Sequence, residues 1–73
     1  MNRYFFDVVG HGRSELDYTG RELPTPETAY DAAELMAFDL AVDDTIGWAV
    51  NVSNVEGHKL FSILVQASYL GAT

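Results

Sequence analysis

Apolar and polar residues alternate near both ends of the chain, and such alternation is typical of a β-strand with one buried face. Residues 4–9 are mostly aromatic or β-branched and predict a first strand. Gly10-His11-Gly12 predicts a hairpin loop, because glycine tolerates positive φ. Residues 14–18 predict a shorter, more polar second strand. The stretch Asp17-Tyr18-Thr19-Gly20 predicts a turn in which the aspartate accepts a backbone hydrogen bond.

The alternation returns at residues 48–53 and 60–65, which predicts a hairpin near the C-terminus. A two-residue turn at Glu56-Gly57 places large apolar residues opposite one another, whereas a three-residue loop places them opposite polar residues. The first register is therefore predicted. Its cross-strand pairs are Val52 with Phe61, Val50 with Ile63 and Trp48 with Val65.

Between these regions the period changes to that of a helix. Thr25 is a favourable N-cap and Pro26 suits the first helical position, so a helix is predicted from Pro26 to Val42. One stripe of this helix is free of charge and contains small residues, and it is predicted to face the core. The stripe consists of Ala29, Ala33, Met36 and Leu40, flanked by Ala32 and Ala37.

The elements follow in the order β-β-α-β-β and predict a single α+β domain over residues 1–73. A helical crossover that places the third strand beside the first gives a four-stranded antiparallel sheet of order 2-1-3-4. One helix packs on one face of this sheet. The other face is predicted to stay uncovered, and its apolar residues are Phe5, Val9, Ala49, Leu60 and Leu64.

Composition adds expectations about assembly and location. The chain has 73 residues, 48% of them hydrophobic, and no cysteine. A core this small, with no disulfide and no Cys/His set for structural zinc, favours pairing with another copy, so a homodimer is expected. No secretory signal pattern and no stretch of transmembrane length is present, so the expected location is the cytoplasm, away from membranes.

The formal net charge of −7 excludes a surface that neutralises nucleic-acid phosphates and disfavours anionic membranes. The charge is also localised, since nine of the eleven acids and only one of the four bases lie between Glu15 and Asp44. The chain therefore has an acidic middle and nearly neutral, apolar ends. A basic protein is a possible partner for the acidic part.

No motif for catalysis is present. His11 and His58 are the only histidines, and the predicted sheet places their loops at opposite ends, so no metal site is expected. The acidic pairs are interpreted as surface charge, and neither a nucleophile elbow nor a phosphate-binding loop is found. We expect a protein that is not an enzyme and that has no cofactor.

The interface candidates lie on the helix and on the last strand. Leu35, Phe38 and Val42 lie opposite the predicted core stripe. Two interpretations stay open: they form an exposed apolar strip rimmed by acids, which is typical of an interface, or the helix is rotated and they belong to the core. Leu60 and Leu64 lie on a predicted edge strand without any charge, which tends to pair with another chain. The acidic-surface candidates beside the helical strip are Glu27, Asp31 and Glu34.

Several segments together resemble a known family. The chain opens with Arg3-Tyr4-Phe5-Phe6-Asp7-Val8, continues with Asp17-x-x-Gly20-x-Glu22-Leu23 and an Ala-rich helix around residues 29–33, and ends in a hairpin with Gly57 at its turn. Over nearly its whole length it resembles small bacterial proteins classified only as a domain of unknown function. That family has no established activity or catalytic residues, so the resemblance implies a fold and a compartment only.

The sequence thus favours a small acidic interaction module that is not an enzyme and that self-associates. The alternative is an acidic inhibitor or antitoxin-like protein, including DNA mimics and phage-encoded inhibitors, that covers the basic surface of a partner. A small-molecule binder or an enzyme is a third class of function, and no motif in the sequence supports it.

Overall fold

The computed structural model describes residues 1–42 and 45–66. Within them the chain forms one helix and an antiparallel sheet of five strands, and the helix packs against the sheet. Asp43, Asp44 and residues 67–73 lie outside the described residues. The elements in chain order are β1 (Asn2–Gly10), β2 (Arg13–Glu15), β3 (Arg21–Leu23), α1 (Pro26–Val42), β4 (Ala49–Ser53) and β5 (Lys59–Leu64).

The predicted limits of the helix are confirmed, since α1 runs from Pro26 to Val42. At its start the Thr25 hydroxyl accepts a hydrogen bond from the Thr28 N–H at 3.2 Å, and the Thr28 hydroxyl donates to the Thr25 carbonyl at 2.7 Å. At its end the N–H and hydroxyl of Thr45 both donate to the Leu40 carbonyl. Side chains and a following turn thus satisfy backbone groups that every helix end leaves unpaired.

The sheet order is β2-β1-β4-β5, and every pairing is antiparallel, which confirms the predicted 2-1-3-4 arrangement. The predicted count of four strands is wrong, because β3 also pairs with β1. The second strand is also shorter than the predicted range 14–18. The physical reason is that β1 has nine residues, about 30 Å in length, so one of its edges accommodates two three-residue strands in succession.

The loop between β1 and β2 is the tight hairpin that the glycines predict. Gly10 pairs with Arg13, and the two residues between them have positive φ, 52° at His11 and 76° at Gly12. Two consecutive residues with positive φ match the turn type that suits the twist of a hairpin.

The register of the last hairpin is confirmed, since Val52 pairs with Phe61 and Val50 with Ile63. The Val65 N–H also donates to the Trp48 carbonyl at 2.7 Å. The predicted two-residue turn is wrong, because the register shifts by one residue beyond Val52. The longer loop is held by Asn54, whose side-chain oxygen accepts the N–H groups of Glu56 and His58, each at 3.0 Å. A local amide cap of this kind competes with a tight turn.

Alanines bring the helix close to the sheet. Ala29, Ala33, Ala37 and Ala41 recur every fourth residue and are almost completely buried. They pack with strand residues of β1, β4 and β5, and Met36 and Leu40 are partly buried beside them. The predicted face is thus the one that packs on the sheet, but its centre is shifted toward Ala37 and Ala41, and Met36 and Leu40 lie at its margin. In the described ranges 1–42 and 45–66 there is no helix with the length and hydropathy to span a membrane.

Candidate interaction surfaces

The Asp17 loop, residues 16–20 between β2 and β3, closes the outer edge of β1. One carboxylate oxygen of Asp17 accepts the N–H groups of Gly20 at 2.9 Å and Thr19 at 3.1 Å, which confirms the predicted aspartate turn. The other oxygen accepts the N–H of Phe6 at 3.1 Å. Phe6 lies in the gap between the residues that pair with β2 and those that pair with β3. The side chain therefore takes the place of a strand at that point.

These hydrogen bonds favour the ionised form of Asp17. The Gly20 N–H contributes most to lowering the pKa of this carboxyl below its ordinary value. The Phe6 and Thr19 N–H groups and the charge of Arg21 act in the same direction, while partial burial opposes them. The carboxylate is thus held as an acceptor within the fold.

Residues at the start of the chain fix the same loop. The Asp7 carboxylate accepts the N–H of Asp17 at 2.8 Å. The Arg3 guanidinium donates to the Thr19 carbonyl at 2.7 Å and to the Glu22 carboxylate at 2.8 Å. The opening segment and the Asp17-x-x-Gly20-x-Glu22 segment are therefore two halves of one hydrogen-bonded cluster, which stabilises the sheet edge.

Gly20 is required in this loop for two reasons. Its φ of +76° is one that side chains other than that of glycine rarely adopt. A Cβ atom there would also lie 2.9 Å from both the Arg3 Cγ and the Tyr4 carbonyl oxygen. The backbone of the loop thus lies directly against β1.

The opposite edge of the sheet is formed by β5 and has a different character. No described strand pairs with its outer side. Lys59 is the only charged residue in its six positions, Lys59–Leu64. On β2 and β3, by contrast, four of the six residues are charged: Arg13, Glu15, Arg21 and Glu22. The unpaired edge is thus the one with little charge.

The sheet face away from α1 is uncovered by any described element, as predicted. Phe5, Val9 and Ala49 are half-buried on this face, whereas Leu64 is 51% exposed. Leu64 therefore combines an open edge with an open face. Leu60, which is 39% exposed, has no partner on β4 because the register shifts there, and it lines a cleft with Tyr4 and Pro26. Leu60 and Leu64 are the two sequence-predicted interface residues that the structure brings together on one strand.

The outer face of α1 holds the other candidates. Leu35 and Val42 are 69% and 64% exposed, and Phe38 is 48% exposed, so the interpretation that places them in the core is wrong. Asp31, Glu34, Leu35 and Phe38 line a shallow cleft of about 430 Å³. Glu27 is also exposed on this helix. These residues of α1 lie on the opposite side of the molecule from Leu64, because α1 covers the other face of the sheet.

The two histidines lie at opposite ends of the sheet. The His11 ring contacts the edge of Trp48 at a centroid distance of 5.9 Å, whereas the His58 Nδ1 lies 3.8 Å from a Glu56 oxygen. Trp48 itself is partly buried against the core and packs over Gly10. Among the residues that the structure describes, no three His, Cys, Asp or Glu side chains form a group that could hold a metal ion.

A second cleft of about 630 Å³ opens at the end of the sheet where β1 begins, beside Arg3, Tyr4, Asn54 and Glu56. The Arg3 guanidinium in this cleft already donates hydrogen bonds to the Thr19 carbonyl and the Glu22 carboxylate. Arg3 here holds the Asp17 loop to the sheet, and sequence reasoning missed this role. The signal that could have revealed it is Asp17 followed by Gly20 directly before Arg21–Leu23, a short segment able to pair with β1.

The comparisons with known proteins identify a family. No curated protein and no solved structure matches the chain significantly. A family model does match, and it covers residues 3–66, which include both the Asp17 loop and the open β5 edge. The chain belongs to the family described as Domain of unknown function (DUF6894).

Proposed function

We propose that this protein is an interaction module without enzymatic activity that self-associates as a dimer. The observation that carries the proposal is the contrast between the two sheet edges. Hydrogen bonds from Asp17 and its neighbours close the β1 edge, while β5 is nearly uncharged and has no described strand on its outer side. Open edges of this kind are protected in most monomeric proteins.

The exposed leucines of β5 supply a driving force for association. Leu60 and Leu64 are 39% and 51% exposed, so covering them would contribute on the order of 1 kcal/mol each. In a symmetric dimer every such contact occurs twice. A few contacts of this size, added to hydrogen bonds between strands, are enough for association at micromolar concentrations.

The absence of enzymatic activity is part of the proposal, and the chemistry of the polar clusters supports it. The oxygens of the Asp17 carboxylate and of the Asn54 side-chain amide accept hydrogen bonds from backbone N–H groups. Arg3 is bound to a carbonyl and a carboxylate. These groups are committed to holding loops, which is unlike acid-base residues that must exchange protons with a substrate.

Sedimentation velocity across a dilution series tests self-association. We expect the sedimentation coefficient to fall from that of a dimer to that of a monomer as the protein is diluted. A strict monomer at high micromolar concentration would refute the proposal. Because the chain has no cysteine, oxidation cannot produce a covalent dimer that imitates the result.

A second candidate function rests on the outer face of α1. Asp31 and Glu34 line one cleft with the exposed Leu35, and Glu27 is exposed farther along the same helix, so this face combines negative charge with apolar area. Such a face suits a basic partner surface, as for an acidic inhibitor or an antitoxin-like protein, DNA mimics included. Basic proteins captured from native lysate would be tested one at a time for binding against salt. Binding that weakens steeply with salt, and less steeply after Asp31→Asn and Glu34→Gln together, would support this candidate. Salt-insensitive binding would count against it.

A further inference from the structure

We propose that two copies join through β5, antiparallel about a two-fold axis at Ser62, to form one continuous sheet. This inference rests on the proposed self-association and adds its geometry. The occupant of the β5 edge is then a second β5, and the interface is formed by backbone hydrogen bonds together with Leu60 and Leu64.

The direction of the backbone groups identifies Ser62 as a donor toward a partner. The Val65 N–H donates to the Trp48 carbonyl, so at Val65 the donor points toward β4. In an antiparallel ladder the direction alternates from residue to residue. Val65 and Ile63 therefore direct their N–H and C=O groups toward β4, and Ser62 and Leu64 direct theirs outward. Phe6 shows the same alternation across the sheet, because its N–H points away from β4 to reach Asp17.

The side chains select the register of the two copies. A two-fold axis at Ser62 places Leu64 of one copy opposite Leu60 of the other, next to the register shift in β5. On the face toward α1 it places Phe61 opposite Ile63. An axis at Phe61 would place Leu60 opposite Ser62, so an apolar residue would face a polar one. Matched apolar pairs stabilise antiparallel strands, so the Ser62 register is preferred.

The charge pattern permits the approach of a like chain at this edge and disfavours it elsewhere. The sequence has no acid after Glu56, although the whole chain carries a net charge of −7. In the Ser62 register Lys59 lies opposite Val65 of the second copy, so the two lysines do not face each other. At the β2 and β3 edge, by contrast, charged side chains and the Asp17 loop stand where a second strand would have to bind.

The test removes the outward-pointing N–H of Ser62 and compares this variant with a matched control. Ser62→Pro removes the N–H that points to the second copy, and proline is tolerated in an edge strand when its position faces outward. Ser62→Ala retains the N–H and removes the hydroxyl, which donates to the Asn51 side chain at 2.7 Å. Both variants are compared with the unmodified chain by sedimentation velocity, with circular dichroism as the check of folding. We expect Ser62→Ala to dimerise with at most a threefold change in dissociation constant. If Ser62→Pro folds, its dissociation constant for dimerisation should rise at least a hundredfold.

The outcomes separate this inference from the proposed function. If the unmodified chain is a monomer, self-association itself is refuted. If the unmodified chain and Ser62→Pro both dimerise, self-association stands and pairing through β5 is wrong. If Ser62→Ala is a monomer as well, the side chain rather than the backbone donor holds the dimer, and strand pairing is again wrong.

A distance measurement decides the matter if Ser62→Pro fails to fold. A single cysteine introduced at Asn51 or Ser14 can carry a spin label, since the chain has none of its own. From the strand order, pairing through β5 separates the two Asn51 backbones by roughly 14 Å and the two Ser14 backbones by roughly 35 Å. Two sheets stacked on their open faces about a two-fold axis along the strands would bring the Ser14 pair within about 20 Å. A short Ser14 distance would therefore overturn the inference.

Discussion

The two edges of the sheet differ in how the backbone groups of their outer sides are paired. Along the outer side of β1, two three-residue strands and the Asp17 carboxylate between them engage the backbone of a single long strand. Along the outer side of β5, six residues with one charge have no described strand beside them. The difference teaches that, within residues 1–42 and 45–66, the side chains and short strands that close an edge act on one side of the sheet only. That asymmetry is the reason to regard β5 as a surface for association.

The largest effect is expected from opening the closed edge. Asp17→Ala removes three hydrogen bonds to a carboxylate and leaves the Phe6 N–H, which is partly buried, without its acceptor. We expect the free energy of unfolding to fall by about 3 kcal/mol, measured by urea denaturation. Asp39→Ala is the control, because Asp39 is exposed on α1, and it should change stability by less than about 0.5 kcal/mol. Equal effects of the two substitutions would show that the Asp17 loop does not stabilise the edge.

A smaller effect is expected from the glycine that lets this loop lie against β1. Gly12 and Gly20 share a φ of +76°, but only Gly20 has atoms of β1 where a Cβ would be. Gly12→Ala should cost about 1 kcal/mol from backbone strain alone, and Gly20→Ala about 2 to 3 kcal/mol from strain together with crowding. Thermal or urea unfolding of both variants measures the difference. If the two costs are equal, the close approach of the loop contributes nothing.

The sequence predicted the elements whose signals are local. Thr25 and Pro26 mark the start of α1, so its start was predictable, and the uncharged stripe indicated the buried face but not its centre at Ala37 and Ala41. The register of β4 and β5 followed from matching apolar residues across the pair. β3 was missed because three residues, Arg21–Leu23, are too few to show a period. The contact of Asp17 with Phe6 spans eleven positions, and a long-range contact between a side chain and the backbone leaves no periodic trace.

The interface candidates also differ in whether a local sequence signal predicted them. The exposure of Leu35 and Val42 followed from the helical period, which is local. The open edge of β5 depended on the order of strands, which followed only from the assumption that the third strand lies beside the first. The loop that carries Asn54 was mispredicted because apolar matching constrains only the paired residues, and the bulge lies just beyond them. What the sequence lacked was the information on how polar side chains cap backbone groups over long distances.

Two leucines of equal exposure allow a direct test of which edge associates. Leu64 on β5 is 51% exposed and Leu16 in the Asp17 loop is 52% exposed. Leu64→Lys introduces the same charge and removes the same apolar side chain as Leu16→Lys, but only the first lies in the proposed interface. We expect Leu64→Lys to weaken dimerisation at least tenfold, about 1.4 kcal/mol, and Leu16→Lys to leave it nearly unchanged, as measured by sedimentation equilibrium. The reverse result would assign association to the other edge.

The smallest expected effect is the response of the closed edge to acid. The pKa of Asp17 is lowered in the folded protein, chiefly by the Gly20 N–H. A lowered carboxyl pKa means that its stabilising contribution is complete above the pKa of the unfolded chain, about 4, and is lost as the pH falls through the lower folded value. Urea denaturation from pH 6 down to pH 2.5 should therefore show a loss of stability below about pH 4. Asp17→Asn, which has no charge to titrate, should lose less stability over the same range. If the chain and this variant follow parallel curves, other carboxylates account for the acid response, and the ionisation of Asp17 does not support the edge.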